Sequence, residues 1–469
     1  MFIGFDYGTA NCSVAMMDGN SPILLPLEAD NYYIPSTLCA PTRESVTEYL
    51  YRFMQVQPKG TQGEQALRRA INLNREEDIQ LQLGDMQFGQ QALDTYLDDP
   101  QEVYYVKSPK SFLGANGLQP MQLSFFEDLV CAMMKNIKTK AENTTQKDIE
   151  QAVIGRPINF HGRGGEEANR QAEGILRNAA SRAGFKDVEF QFEPVAAGLE
   201  YESTLSENKT VLVVDIGGGT TDCSLIEMGP SFVSMADRTS SLLGHSGQRV
   251  GGNDLDIHLA FKQIMPLFGL GSKIKASKIK GSQTLSSSKN SGIEMPITQF
   301  WNPIAINNVV AQKDFYQSSN FKALTLLKKE AQDPDKLARL LAVYQHTLGY
   351  QIVRKAEEAK IGLSDSDKHA LLIPVAKEIL ELDINHHDMV EAVQSPTLKM
   401  MELVTEVMAQ ASLSPTNKQP DAIFMTGGSA RSPFLRQALE AQLPNIPIVS
   451  GNYFGSVTAG LARWAQVIF

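Results

Sequence analysis

Two stretches of this chain repeat one chemical pattern. The first reads Asp6-Tyr7-Gly8-Thr9-Ala10-Asn11-Cys12-Ser13. The second, much later, reads Asp215-Ile216-Gly217-Gly218-Gly219-Thr220-Thr221-Asp222-Cys223-Ser224. Glycine lets a backbone approach a phosphate closely, so that successive N–H groups point at its oxygens. The Thr9 and Thr220 hydroxyls add donors. A carboxylate beside a polyphosphate repels it unless a cation lies between, so Asp6 and Asp215 imply Mg²⁺ held through its retained waters. Either copy alone would be an ordinary glycine-containing hairpin. The matched Asp, Thr and Cys-Ser of the pair predict two lobes facing one shared anionic ligand.

Three further segments carry possible chemistry. Thr426-Gly427-Gly428-Ser429-Ala430-Arg431-Ser432-Pro433 follows the apolar run Ile423-Phe424-Met425. Ser432 is placed as a helix N-cap and Pro433 as the first helical residue. The paired glycines leave room for a flat base and ribose, and Arg431 can cover a purine face. By itself this is a common strand-to-helix turn; beside two phosphate hairpins it is the expected nucleoside end of the same site. Glu193 precedes a small-residue segment, Pro194 to Leu199, suited to close approach of two backbones. Its carboxylate either complements the helix dipole or orients an attacking water. Lys110, in Lys110-Ser111-Phe112-Leu113-Gly114, reads in isolation as an exposed lysine.

The elements that must position these groups follow from periodicity. Met1 to Phe5 and Val211 to Val214 read as buried strands leading into the two bends, with Val14-Ala15-Met16 and Leu225-Ile226 returning from them. A strand is expected around Ile23 to Leu27, and amphipathic helix within Thr42 to Asp85. Phe125 to Lys140 is a helix by its apolar spacing, and Ala152 to Pro157 is a strand. Glu167 to Ala183 is a helix closed by Gly184, followed by the strand Val188 to Phe192. Beyond these, Gly271 to Gly292, with Lys273, Lys275, Lys278 and Lys280, reads as a solvated loop. Phe321 to Lys360 is helical with a break near Pro334. The last quarter alternates helix (Pro396 to Gln410), strand (Ala422 to Met425), helix (from Pro433), strand (Ile448-Val449) and helix (Val457 to Val467).

Composition bounds the rest. With 469 residues there is room for two or more domains, and 42% hydrophobic with 20% charged residues is typical of a soluble globular protein. A net charge of −10 opposes nonspecific binding to nucleic acid or an anionic membrane. The first apolar run meets an acid at Asp6, unlike a signal peptide, and no stretch is long enough to span a bilayer. Cys12, Cys39, Cys131 and Cys223 are scattered and form no Cys-x-x-Cys, which fits reduced thiols in the cytoplasm. No Gly-Lys-Ser/Thr occurs, which excludes a P-loop. His386-His387-Asp388 reads as a surface pair at a helix start rather than a metal site.

These motifs together resemble the nucleotide-binding domain of the seventy-kilodalton heat-shock chaperones, the DnaK family, within the actin and sugar-kinase superfamily. The similarity runs nearly end to end. It includes Ile3 to Thr9, Lys110 to Gly114, Arg170-Gln171-Ala172, Glu193-Pro194 with Ala196-Ala197, and Asp215 to Asp222. Gly251-Gly252-Asn253-Asp254-Leu255-Asp256 and Glu357-Glu358-Ala359-Lys360-Ile361-Gly362-Leu363-Ser364 complete it. The resemblance implies an α/β, two-lobed actin-like ATPase fold built from duplicated ribonuclease H-like domains with inserted subdomains. Lobe I is expected over 1–200 with an insert at about 40–120. Lobe II is expected over 201–469 with an insert at about 255–375 and a C-terminal helix packing back toward lobe I.

The same resemblance implies ATP or ADP with Mg²⁺ as ligands. Gly8, Thr9, Ala10, Gly217, Gly218, Gly219 and Thr220 would hold phosphates. Asp6, Asp215 and Asp222 would hold the hydrated metal, while Lys110 and Glu193, with Asp215 and Thr220, would serve hydrolysis. Glu357, Lys360 and Ser364 would meet the base on one side, and Gly427, Gly428 and Arg431 on the other. Ala10 stands where the family usually has a second threonine. The chain is expected to lack the family's interdomain linker, β-sandwich and helical lid. The function expected is a chaperone-like ATPase acting as a nucleotide-dependent switch, with an unidentified client or co-chaperone as partner. A small-molecule kinase or a filament-forming actin-like protein of the same superfamily is the alternative.

Overall fold

The computed structural model describes residues 1–469 apart from 101, 116, 161–164, 234, 236–237, 276–291, 413–418, 452 and 454. The described chain divides into two compact units, one of residues 1–252 with 398–469 and one of residues 253–397.

The first unit holds two mixed sheets with one design. In the first, Phe2–Tyr7 is central, antiparallel to Asn11–Asp18 and parallel to Gln151–Arg156. Ser21–Leu24 and Asp187–Phe192 flank these. In the second, Lys209–Ile216 is central, antiparallel to Thr221–Met228 and parallel to Ala422–Thr426, with Leu242–Gln248 and Ile448–Ser450 outside. The order and strand directions are the same in both. The duplication of sequence is thus a duplication of topology. The central strands are apolar on both faces because helices cover both: Ile3, Phe5 and Val211 to Val214 are fully buried.

Two helices, Glu193–Glu202 and Ser456–Ile468, lie in one core with residues of both sheets. Ala196, Ala197, Leu461 and Ala465 pack there with Val153 of the first sheet and Val211, Val213, Ile226 and Phe424 of the second. The small residues at Ala196-Ala197 allow this packing. A Cβ on Gly460 would fall 1.7 Å from the Ala196 carbonyl oxygen, so only glycine admits the helix backbones to that distance.

Residues 37–107 of the same unit form an added layer. It has a three-stranded sheet (Thr37–Ala40, Gln87–Phe88, Tyr104–Lys107) and the helices Arg43–Arg52, Gly60–Glu76 and Gly89–Asp98. The helix expected over Phe125 to Lys140 runs over Pro120–Thr145, opened by a reciprocal cap in which Gln122 Oε1 accepts from the Gln119 N–H at 2.8 Å.

The second unit carries the helices Ser318–Glu330, Pro334–Gln345 and Gly349–Gly362 and an antiparallel hairpin, Lys368–Val375 with Glu378–Asn385. The alternation of Lys368 to Val375 and the left-handed turn at Ala376 (φ 52°) accompany this hairpin, which is not among the elements expected from the sequence. The segment expected as a loop begins and ends in a small hairpin, Lys273–Lys275 with Gly292–Glu294; Lys278 and Lys280 lie outside the described residues. One element departs from expectation. The helix placed at Pro396 to Gln410 begins at His386 and runs to Ser412 with Pro396 inside it. Buried Met389, Ala392, Val393, Met400, Leu403, Val404 and Val407 sustain one helical face across the proline, and this outweighs its lost N–H bond.

Packing at the central helix pair makes a definite demand. Gly460→Ala should lower stability by about 3 kcal/mol, the upper end of overpacking costs. Gly174→Ala, in the exposed face of Glu166–Ala183 with nothing within 4 Å of the new Cβ, should raise it by about 0.5–1 kcal/mol. Urea denaturation of both variants checks the contrast; equal effects would contradict the close contact.

Candidate functional site

Asp6 and Asp215 occupy equivalent places, each one residue before the end of a central strand. Across the two hairpins Asp6 pairs with Ser13, and Asp215 with Asp222. The turns that follow face each other. A Cβ on Gly219 would lie 2.5 Å from Thr9 Cγ2, and one on Gly218 would lie 2.7 Å from Ala10 Cβ. The glycines are needed because the second backbone bend meets the first. Ala10, smaller than threonine, is the residue they meet.

Lys110 does not behave as an exposed lysine. It is carried on a short 3₁₀ turn, Pro109–Phe112, and is 4% exposed. Its ammonium donates to Glu193 Oε1 at 2.5 Å and to the Gly155 carbonyl at 3.2 Å. A buried cation is tolerable only when paired in this way. Glu193, the first residue of its helix, thus has its carboxylate on Lys110 across 83 residues of sequence.

Around this pair the acids crowd. Burial, reinforced by Glu193, raises the Asp6 carboxyl to about 7, with Lys110 pulling the other way. Burial, then Glu193, Asp222 and Asp6, push Asp215 well above its ordinary value. Burial and Glu193 bring Asp222 to about 8, opposed by hydrogen bonds from the Ile158 N–H and the Thr220 hydroxyl. Asp222 Oδ1 accepts from Ile158 N at 2.7 Å, while its buried Oδ2 has no hydrogen-bond partner.

Four carboxyl groups offset by one ammonium cannot all ionise in a dry site without a further cation. The orphaned Asp222 oxygen suits a donor such as metal-bound water. No group of three or more His, Cys, Asp and Glu among the described residues is placed to ligate an ion directly. The crowded carboxyls and the orphaned Asp222 oxygen fit a hydrated Mg²⁺, which keeps several of its waters when protein-bound.

Gly427, Gly428 and Arg431 lie in the same unit, at the end of Ala422–Thr426. Gly427 adopts φ 86°, where a Cβ would meet Ile216 O at 2.4 Å and Asp215 Oδ1 at 2.5 Å. Arg431 is exposed. Ser432 takes the N-cap position without a capping hydrogen bond from its side chain. Glu357, Lys360 and Ser364 belong to the other unit, on or just after Gly349–Gly362. Lys360 pairs there with Asp256 at 2.7 Å, and the Ser364 hydroxyl donates to the Lys360 carbonyl at 3.2 Å.

Several site residues escaped sequence reasoning because their signal is a backbone contact. Gly155 supplies the second acceptor for Lys110. Gly252 N donates to Gly217 O at 2.9 Å, and the Ser429 hydroxyl reaches the same oxygen at 3.3 Å. Ser36 and Ser108 bond to the first turn.

Two copies of one mixed-sheet design, each ending in an acid-tipped glycine bend, define a duplicated α/β protein. The family described as Hsp70 protein matches residues 2–280, and the chain belongs to that family. Its fold is accordingly the actin-like ATPase fold. The chaperone protein DnaK of Buchnera aphidicola subsp. Schizaphis graminum (strain Sg) is 30% identical over 265 residues, which cover 55% of this chain and 36% of that relative. The match thus spans about a third of the relative's length.

Two measurements test the site as built. The raised Asp6 and Asp222 values mean that the folded protein retains protons that the unfolded chain releases near 3.8. Their contribution to stability is full below about pH 4 and is lost as pH rises through about 7 to 8. Without divalent ions the melting temperature should fall between pH 5 and 8.5, and Asp222→Asn should flatten that slope. An unchanged slope would contradict the assignment. Gly218→Ala should destabilise the protein by about 1–3 kcal/mol, and Ala10→Gly in that background should recover part of the loss, as a double-mutant cycle would read.

Proposed function

We propose that the chain binds ATP with Mg²⁺, hydrolyses it to ADP and phosphate, and uses nucleotide state as a chaperone-type conformational switch. The observation that carries this reading is the convergence of two acid-tipped glycine turns on the buried Lys110–Glu193 pair. In this reading the two sheets are the cores of lobes spanning about 1–200 and 201–469.

The N–H groups and hydroxyls of Gly8, Thr9, Ala10, Gly217, Gly218, Gly219 and Thr220 hold the phosphates. Asp6, Asp215 and Asp222 hold the hydrated Mg²⁺, whose charge neutralises the phosphate oxygens when bound. Gly427, Gly428 and Arg431 serve the nucleoside end. Lys110 and Glu193 orient a water in line with the γ-phosphorus; its oxygen bonds to phosphorus as the β–γ bridging bond breaks, its proton passes to the departing phosphate or to solvent, and ADP leaves. In phosphoryl transfer positioning and electrostatics dominate, which suits a carboxylate held in place by an ion pair. Catalysis by placement is the claim.

Partners are proposed from family alone: a protein client or co-chaperone, not nucleic acid. No helix among the described residues is long and apolar enough to cross a membrane. All four cysteines are buried free thiols, which supports a cytoplasmic location.

Calorimetric titration with ATP and Mg²⁺ should give saturable binding, and phosphate should be released without any added acceptor. Lys110→Met and Glu193→Gln should each lower turnover about 100-fold while nucleotide affinity changes less than threefold. Absence of binding at millimolar ATP would reject the proposal. Phosphate release only with a small-molecule acceptor would favour a kinase, and nucleotide-dependent sedimentation a filament.

A further inference from the structure

Every carbonyl of the first turn is held from behind. The Ser36 hydroxyl donates to Gly8 O at 2.6 Å, the Ser108 hydroxyl to Thr9 O at 2.6 Å, and the Ser36 N–H to Ala10 O at 2.8 Å. Ser108 N in turn donates to Ser36 O at 2.7 Å, which links the two serines. Both are buried, Ser36 at 1% and Ser108 at 5% exposure.

A trans peptide is planar, with its C=O and the following N–H pointing in opposite directions. Three carbonyls drawn toward Ser36 and Ser108 therefore turn the N–H groups of Thr9, Ala10 and Asn11 the other way. Without these bonds the peptide units would be able to rotate and present carbonyl oxygens, which repel an anion. The second turn repeats the device: Gly217 O, the counterpart of Gly8 O, accepts from Ser429 Oγ and Gly252 N.

We infer that Ser36 and Ser108 are positioning residues that preset the first turn as a phosphate-accepting nest, an inference resting on the nucleotide reading above. Their placement gives them a second consequence. Ser36 immediately precedes the added layer of residues 37–107, and Ser108 immediately follows it. Both ends of that layer are therefore anchored on the turn. Ser108 also lies in the left-handed region (φ 57°, ψ 53°), two residues before Lys110, so the phosphate turn and the lysine share one anchor.

The test uses the full chain and compares ATP, ADP and AMP affinities with melting temperature. Ser108→Gly removes the hydroxyl while relieving the left-handed backbone, so its melting temperature should stay within about 2 °C of wild type. ATP and ADP affinities should fall about tenfold while AMP affinity is unchanged. Ser36→Ala should show the same split, with some loss of stability from the orphaned Gly8 carbonyl. A lowered melting temperature with an unchanged ADP-to-AMP affinity ratio in both variants would overturn the inference and leave the nucleotide reading intact. A wild-type protein that binds none of the three nucleotides would remove both.

Discussion

The site exists because two helix backbones touch. Glu193–Glu202 and Ser456–Ile468 meet where Gly460 offers only a hydrogen to the Ala196 carbonyl, in a core shared by both sheets. Larger residues there would drive the helices apart and with them the sheets whose strand ends carry Asp6 and Asp215. Glu193 sits at the start of one of these helices, so the same contact that sets the sheet arrangement also sets its carboxylate beside Lys110.

That arrangement concentrates negative charge where solvent is scarce. Asp6, Asp215 and Asp222 all shift upward because burial and Glu193 disfavour a further anion, and Lys110 relieves only part of this. Such a cluster is costly to the folded state unless a further cation offsets it. The hydrogen bonds behind both turns serve the same end, since they fix the peptide dipoles before any ligand is present. Preorganised dipoles need no rearrangement at the moment of reaction.

Much of this was legible in the residues. The repeated Asp-x-Gly pattern announced two equivalent hairpins because strand alternation, glycine and a following threonine are local signals. Most helices and central strands were legible for the same reason. The hairpin Lys368–Val375 with Glu378–Asn385 and the helical run through Pro396 were not. In the helix, packing against neighbours outweighed the local cue of Pro396; in the hairpin, the turn is set by Ala376 in a left-handed conformation, which its residue type does not announce.

The sequence by itself determined the duplication, the acid and glycine content of each bend, and the small residues that permit close approach, since these depend on neighbours a few positions apart. Tertiary structure decided where Lys110 lies, because an ammonium is exposed or buried according to partners 83 residues away. It also decided the roles of Ser36 and Ser108: a serine hydroxyl carries no sign of the carbonyl it will meet until the chain has folded around it.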